Sequence, residues 1–184
     1  MPYDCGSIGT YTKIDCTTDL FYNDKIIAFG IVKSSATADL SDPLNWTYAN
    51  LAALQADVAV VDSATGEYDG GEPEVSTEAF GPKIEQITGR THNATLKVEY
   101  NPKNWAFFNG LYKAGNKGVV FITGNYQQLF YTGNVNATIK PKNPITNDLK
   151  MGMKYEIVIT WSFIEMLKPV AVTQDQIDLF NVAN

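Results

Sequence analysis

Few residues of this chain have the chemistry of a nucleophile or a general base. The sequence contains a single histidine, His92, and two cysteines, Cys5 and Cys16. We predict that the polar stretch around His92 is a turn before a strand, and no Gly-X-Ser-X-Gly elbow is present. Cysteine–histidine catalysis would need one of the two cysteines beside His92 in space. Because lone cysteines in a reducing compartment are usually free thiols, we predict neither a disulfide nor a metal site for them.

Carboxylates are concentrated in residues 62–81, a segment with almost no apolar side chains. Its six acidic residues are Asp62, Glu67, Asp69, Glu72, Glu74 and Glu78. Their spacing is not that of an EF-hand, and nothing marks two of them as the buried pair that a glycosidase needs. The turn at 115–118 does not match a phosphate-binding loop. The sequence therefore predicts a protein that is not an enzyme and binds no cofactor or metal. An opportunistic ion site in 62–81 stays open as an alternative.

The charges of the chain are unevenly distributed around a net charge of −6. Residues 1–90 contain 14 acids and 5 bases, whereas residues 91–184 contain 6 acids and 9 bases. An acidic chain argues against general binding to nucleic acid or to an anionic membrane. The bases of the second half include Lys140, Lys142 and Lys150. Two interpretations stay open: 62–81 is a solvated loop, or it is an arm that meets the basic rim of a second copy head to tail.

A length of 184 residues fits a single domain, 1–184. Most of the secondary structure that would position the histidine and the charged side chains is predicted to be short strands. Residues 25–33 are apolar on both faces, which predicts a strand covered on both sides. Residues 95–100 and 155–163 alternate between apolar and polar side chains, which predicts half-buried strands. Further patterns predict strands at 11–16, 57–61, 118–123, 129–132 and 135–140.

Capping signals predict two helices. Asp42 and Pro43 would begin a short helix that ends near residue 55, and Asn101 and Pro102 would begin a second helix of about three turns. The packed side of the second helix would carry Trp105, Phe108, Leu111 and Tyr112.

The remaining segments are predicted to be irregular. Residues 62–81 would form a long loop or an extended hairpin with Gly70 and Gly71 at its tip. Residues 141–149 would form a loop, and residues 170–184 a tail. Together the patterns predict a mainly β fold: a β-sandwich or half-barrel with one packed α-helix and a long acidic loop.

The second half of the chain has an order of elements that is similar to a known family. An alternating strand, a helix capped by Asn-Pro, a hairpin, a proline-rich loop and a long final strand follow one another. In residues these are ATLKVEY (94–100), NPKNW (101–105), VVFITGNY (119–126), YTGNVNATIKP (131–141) and YEIVITW (155–161). This organisation, over roughly residues 80–165, resembles the tail tube proteins of tailed bacteriophages and related ring-forming virion proteins.

The resemblance implies a structural role in a virion. Subunits of that family close into homo-oligomeric rings that stack, a long loop docks on the neighbouring ring, and an acidic lumen lets double-stranded DNA pass without specific binding. By position, 62–81 would be the docking loop or would line the channel. The implied partners are further copies of the chain and other virion tail or connector proteins. The implied location is the virion tail, assembled in the bacterial host cytoplasm.

Two other function classes stay open. The first is a β-sandwich decoration, head-fibre or carbohydrate-binding module, which the 12% aromatic content would serve. The second is a hydrolase without a visible motif. The N-terminus has no basic and apolar regions of a secretory signal, so we expect use in a cytosol or export without a signal peptide. The longest apolar run, 26–32, is too short to cross a bilayer, and no membrane partner is expected.

Overall fold

A computed structural model describes residues 25–36, 57–77, 85–111, 113, 115–124, 128–133, 135–145 and 153–173. Ten strands and one α-helix lie in this part of the chain. The strands are β1 (Ile26–Lys33), β2 (Val58–Val61), β3 (Ala64–Tyr68), β4 (Glu72–Thr77), β5 (Glu85–Glu99), β6 (Asn116–Thr123), β7 (Gln128–Tyr131), β8 (Thr138–Lys142), β9 (Lys154–Ser162) and β10 (Pro169–Ala171). A 3₁₀ turn (Pro102–Asn104) leads into the helix α1 (Trp105–Leu111).

All strands belong to one antiparallel sheet in the order β10-β7-β6-β1-β3-β5-β9-β8, with β2 also paired to β1 and β4 to β5. The sheet has two halves, which join where Ile26 of β1 pairs with Gly66 of β3. A Cβ at position 66 would overlap the Thr95 carbonyl oxygen and the Leu96 side chain, so glycine permits this junction. The prediction of a mainly β fold with one helix is confirmed.

The two halves of the sheet pack face to face around one hydrophobic core, as in a sandwich. Phe29 and Phe121 come from the first half, and Leu96 and Ile157 from the second, and all four are buried in the same cluster. The rings of Phe121 and Trp161 stack across the core with centroids 5.9 Å apart. A smaller cluster covers the other face of β1 and β6, so β1 is buried on both sides as predicted.

The best sequence patterns correspond to the most regular elements. In β9, Tyr155, Ile157, Ile159 and Trp161 are buried and the residues between them are half-buried, as the alternation predicts. The Asn101 side chain accepts a hydrogen bond of 3.0 Å from the Lys103 backbone N–H, which confirms the predicted cap. Phe108 and Leu111 pack into the core. Trp105 does not, because its side chain is 56% exposed.

Several predicted boundaries are wrong. β8 begins at Thr138 and continues through Pro141 to Lys142, where we expected a loop. Proline is tolerated there because β8 ends the path of the sheet and, within the described residues, pairs with β9 alone. Part of the expected tail forms β10. The predicted strand at 11–16, the helix at 43–55 and Tyr112 lie outside the described residues. No helix of the described part is long and apolar enough to cross a membrane.

Candidate functional site

Residues 72–77 and 85–90 form a two-stranded ribbon that extends beyond the rest of the sheet. β4 pairs with β5 from Glu72–Thr91 to Thr77–Glu85. β9 accompanies β5 only as far as the pair Thr91–Ser162, followed by two 3.0 Å backbone hydrogen bonds between Arg90 and Phe163. Beyond that point, within the described residues, β4 and β5 form strand pairs only with each other. The predicted long loop is therefore wrong for 64–68 and 72–77, which are strands.

Gly70 and Gly71 lie within the long strand, not at the tip of a hairpin. β3 pairs with residues 94–98 of β5 and β4 with residues 85–91, so β3 and β4 are two parts of one strand that runs antiparallel to β5. The glycines connect the two parts with φ values of +83° and +82°, a conformation that L side chains rarely adopt. The connection that turns β4 into β5 falls at 78–84, outside the described residues.

The carboxylate of Asp69 holds this glycine connection against β5. Its Oδ1 atom accepts hydrogen bonds from the backbone N–H of Gly71 (2.9 Å) and of Asn93 (3.0 Å), and its Oδ2 atom accepts one from the Asn93 side chain (2.9 Å). Partial burial alone would raise the pKa of Asp69, but these hydrogen bonds outweigh it, so the pKa lies below its ordinary value of 3.8. Asp69 thus acts as a structural clasp. Among the described residues no group of three metal-ligating side chains is found.

The lowered pKa of Asp69 predicts a pH-dependent contribution to stability. A carboxyl whose folded pKa is depressed stabilises the fold above its unfolded pKa and loses that contribution as the pH falls through the folded pKa. Asp69→Asn places an amide N–H₂ against the Asn93 donor, so we expect lower stability than the wild type at pH 7. The difference should shrink as the pH falls below about 4. Urea unfolding of both proteins at pH 7 and pH 3 measures this difference in the free energy of unfolding. A difference that does not depend on pH would contradict the stabilising role of the ionised Asp69 carboxylate.

His92 lies in the core behind the glycine connection and has 0% exposure. Its ring is parallel to that of Trp161, with centroids 5.1 Å apart. The Nε2 atom is 3.2 Å from the Phe163 carbonyl oxygen, which can only accept, so Nε2 carries the proton. The Nδ1 atom then accepts from the Tyr68 hydroxyl at 2.6 Å. Burial and the nearby Asp69 carboxylate raise the pKa of Tyr68, which keeps this donor protonated.

The predicted turn at His92 is therefore wrong, because His92 occupies an inward position of β5. Both of its ring nitrogens are used inside the fold. The signal was present in the sequence: His92, Ala94, Leu96 and Val98 continue a single alternation, and all four are buried.

Removal of the Tyr68 hydroxyl tests the role of this buried pair. Tyr68→Phe leaves the Nδ1 atom of the fully buried His92 without its donor, so we expect a loss of about 1–3 kcal/mol in the free energy of unfolding. Tyr155→Phe is the matched control. The Tyr155 hydroxyl donates to the backbone carbonyl of Asn101 at 3.3 Å, a longer hydrogen bond to a residue that is exposed overall, so we expect a smaller loss. If urea unfolding gives the same loss of unfolding free energy for both variants, the hydrogen bond to His92 stabilises the fold no more than the hydrogen bond to Asn101.

The surface of the ribbon is acidic and carries an exposed apolar pair. Val75 and Ile87 are directly opposite each other and are 53% and 48% exposed. Glu72 and Glu74 on β4 are also exposed, and the Glu74 carboxylate accepts a 2.6 Å hydrogen bond from the Thr91 hydroxyl. The sequence reasoning identified the acids and missed the apolar pair, because Val75 and Ile87 are isolated aliphatic residues in polar surroundings.

A groove of about 430 Å³ lies between α1 and β8. Phe108 and Tyr155 belong to its lining and stack with ring centroids 4.2 Å apart. The other lining residues are Trp105, Asn109, Lys140, Pro141, Lys142 and Asn143. Lys142 also forms a 3.3 Å ion pair with Glu156 of the neighbouring strand. The groove therefore combines an exposed aromatic ring with two lysines, and no described lining residue is acidic.

The structure separates the predicted site residues into distinct places. Lys140 and Lys142 come together in the groove, and Glu72 and Glu74 come together on the ribbon. Asp62 lies half-buried between β2 and β3. Glu67 lines a second cavity of about 740 Å³, which also involves Lys25 and Lys97. Glu78 and Lys150 lie outside the described residues.

The fold and these surfaces define a mainly β protein with an acidic ribbon at one place and a basic aromatic groove at another. Comparisons with models of protein families, with curated proteins and with solved structures find no match.

Proposed function

We propose that this protein is a structural virion subunit that assembles with copies of itself into rings, and that the rings stack into the tail tube of a tailed bacteriophage. The observation that carries the proposal is the ribbon, which leaves the sheet with an exposed Val75–Ile87 pair. The order of elements in the second half, which resembles that of tail tube proteins, directs the proposal to this class of assembly.

The ribbon is costly for an isolated subunit. A two-stranded hairpin is at best marginally stable in water, because it needs a further strand or a packed face for independent stability. Val75 and Ile87 expose about half of their side chains, and full burial of an aliphatic side chain is worth about 1.5–3 kcal/mol. A partner that covers this pair would therefore stabilise both the ribbon and the assembly.

The strands at the two ends of the sheet, as far as the described residues show it, favour assembly through the ribbon over uncontrolled edge pairing. β10 is three residues long and begins with Pro169, and β8 contains Pro141 between Lys140 and Lys142. Proline removes a backbone donor, and lysine on an edge strand discourages a second strand from adding there. These are the features by which monomeric subunits avoid aggregation before they assemble in order.

The charge of the chain suits a conduit for DNA. The net charge is −6, and the first half of the chain carries most of the acidic residues. An acidic wall repels phosphates, so double-stranded DNA would pass without specific binding. In this proposal the partners are further copies of the chain and other tail or connector proteins, and the location is the virion tail.

Negative-stain electron microscopy of the purified protein over a range of concentrations tests the proposal. We expect rings or tubes with an open lumen at high concentration. Isolated compact particles at every concentration, with a monomer mass in solution, would count against a self-assembling tube subunit.

A second candidate function is a carbohydrate-binding module on a virion or cell surface. It is favoured by Trp105, whose 56% exposed ring borders the groove with Asn109 and Asn143, since sugars stack on aromatic rings and hydrogen-bond to amides. A glycan array with wild type and Trp105→Ala tests it. A signal that depends on Trp105 would support this function, and an array without signal would remove it.

A further inference from the structure

We infer that the cavity of about 740 Å³ between the two halves of the sheet, which we call the junction cavity, binds a small zwitterion with an apolar side chain. A free α-amino acid represents this class of ligand. The inference goes beyond the proposed function, because a site inside one subunit needs no second copy of the chain.

The junction cavity lies where the sheet divides. β1 and β3 share only the pair Ile26–Gly66, and both of these residues line the cavity. From this pair the sheet continues through β1 to β6 and β7 on one side, and through β3 to β5 on the other. The cavity therefore has walls from both halves, with Phe130 of β7 and Lys97 of β5 among its lining residues. A bound molecule would contact both halves of the sheet at once.

The rim of the junction cavity carries charges of both signs. Glu67 is opposite Thr95 in register, and Lys97 follows two residues later on the same face of β5, so Glu67 and Lys97 are diagonal neighbours about 7–8 Å apart. Both are exposed, and within the described residues neither forms an ion pair. Lys25 is a third exposed lining residue. The rim thus presents two ammonium groups and one carboxylate to an occupant.

A zwitterion satisfies this rim better than an ion of one sign. Its carboxylate can accept from the lysines while its ammonium group donates to Glu67, and both contacts are charge-assisted hydrogen bonds. A simple anion would meet the Glu67 carboxylate, and a simple cation would meet the two lysines. The charges therefore favour a ligand that carries an ammonium group and a carboxylate close together.

The inner part of the cavity is mostly apolar. Ile26 is 2% exposed, and Phe130 is half-buried. Thr123 is also buried there, and its Oγ1 atom has no hydrogen-bond partner among the described residues. Buried hydroxyls are nearly always bonded in a fully packed interior, so this one marks a place that the packing of the chain leaves incomplete. An apolar side chain that enters from the rim would lie against Ile26 and Phe130.

The size of the cavity excludes the simplest occupants. A volume of about 740 Å³ lies within the range of about 300–1,000 Å³ in which proteins hold small organic molecules. An inorganic ion would use only the charged rim. A wholly apolar molecule would fill the inner part and leave the charged groups of the rim unused.

Competition against L-phenylalanine tests the chemistry of the ligand. In equilibrium dialysis with the labelled amino acid we expect saturable binding at one site per chain. Phenylalaninamide lacks the carboxylate, N-acetylphenylalanine lacks the ammonium group, and glycine lacks the apolar side chain. Each should compete about tenfold or more weakly than unlabelled phenylalanine, because each loses either a hydrogen bond between charged groups or the burial of an aromatic side chain.

Two variants assign the charges of the ligand to the rim. Lys97→Met should weaken the binding of phenylalanine about tenfold and should not weaken that of phenylalaninamide, which has no carboxylate to lose. Glu67→Gln should weaken the binding of phenylalanine to a similar degree and should not weaken that of N-acetylphenylalanine. Lys168→Met and Glu165→Gln are the matched controls, because both residues are exposed and lie outside the cavity. They should bind phenylalanine as the wild type does.

Three results would overturn the inference. They are the absence of saturable binding at millimolar phenylalanine, analogues that compete as well as phenylalanine, and losses in the rim variants that do not depend on which charge the ligand carries. Assembly is scored separately by electron microscopy, so any of these results leaves the proposed function standing. A protein that binds the amino acid as expected and forms no rings would overturn the proposed function alone.

Discussion

Gly71→Ala is expected to destabilise the protein by about 2–5 kcal/mol. Two costs combine at this position. The backbone has φ +82°, where a residue with a Cβ loses about 1–2 kcal/mol relative to glycine. The new methyl group would also overlap the ring of His92, which is fully buried and bonded at both nitrogens, and overpacking of a core costs about 1–3 kcal/mol. Urea unfolding followed by tryptophan fluorescence measures the change, because Trp161 stacks on the His92 ring.

The neighbouring residue supplies a control with the same backbone conformation. Gly70 has φ +83°, and no atom lies within 4 Å of a Cβ built there. Gly70→Ala should therefore carry only the conformational cost of about 1–2 kcal/mol. If both variants lose the same stability, the contact between Gly71 and His92 does not determine how the ribbon is anchored.

The same contact explains why one interpretation of the sequence failed. Adjacent glycines between two strand-like runs usually mark the tip of a hairpin, and Gly70-Gly71 fits that pattern. Here they are adjacent because two requirements coincide: the strand must bulge to admit the Asp69 clasp, and position 71 must leave room for the His92 ring. Neither requirement is local in sequence, since Asn93 and His92 belong to a different strand.

The sequence predicted burial correctly where the alternation of polar and apolar residues within one strand determines which side chains are buried. Residues 155–161 alternate because one face of β9 meets the core, and the structure has that alternation. Residues 26–32 are apolar throughout because both faces of β1 are covered. The prediction of a mainly β fold with one helix depended on such segments and is confirmed.

The candidate surfaces were only half visible in the sequence because they depend on pairing between distant segments. The acidic residues of 62–81 were obvious, but their division into a clasp (Asp69) and an exposed pair (Glu72, Glu74) follows from how β3 and β4 pair with β5. Trp105 was assigned to the packed side of the helix by its spacing. The helix instead turns Phe108 and Leu111 inward and leaves Trp105 beside β8, a neighbour that arrives more than thirty residues later.

The residues that hold the ribbon in the fold differ from the residues that the ribbon exposes to solvent. The clasp of Asp69 and the His92 pair hold the root of the ribbon within a single subunit, whereas Val75 and Ile87 lie beyond the root and face solvent. Changes at the root should therefore alter the stability of the subunit, and changes on the ribbon surface should alter association while the subunit stays folded.

The double variant Val75→Thr, Ile87→Thr should prevent assembly while the subunit keeps its fold. Threonine is β-branched and suits a strand, so the ribbon retains its backbone preference. Each substitution replaces apolar surface at the centre of the proposed contact with a hydroxyl that must be desolvated, at about 1–3 kcal/mol per residue. Because every subunit of the proposed stack would repeat the contact, we expect this variant to form no assembled particles in micrographs at concentrations at which the wild type is expected to form them.

Ile164→Thr is the matched control for this variant. Ile164 is 55% exposed, as Val75 and Ile87 are, but it lies after β9 and outside both the ribbon and the groove. It should assemble as the wild type does. Each surface substitution in the two variants should change the free energy of unfolding by no more than about 0.5 kcal/mol. Normal assembly of the ribbon variant would show that the apolar pair is not the contact. Loss of assembly in the control as well would show that the effect is not specific to the ribbon, and the contact could not then be assigned to Val75 and Ile87.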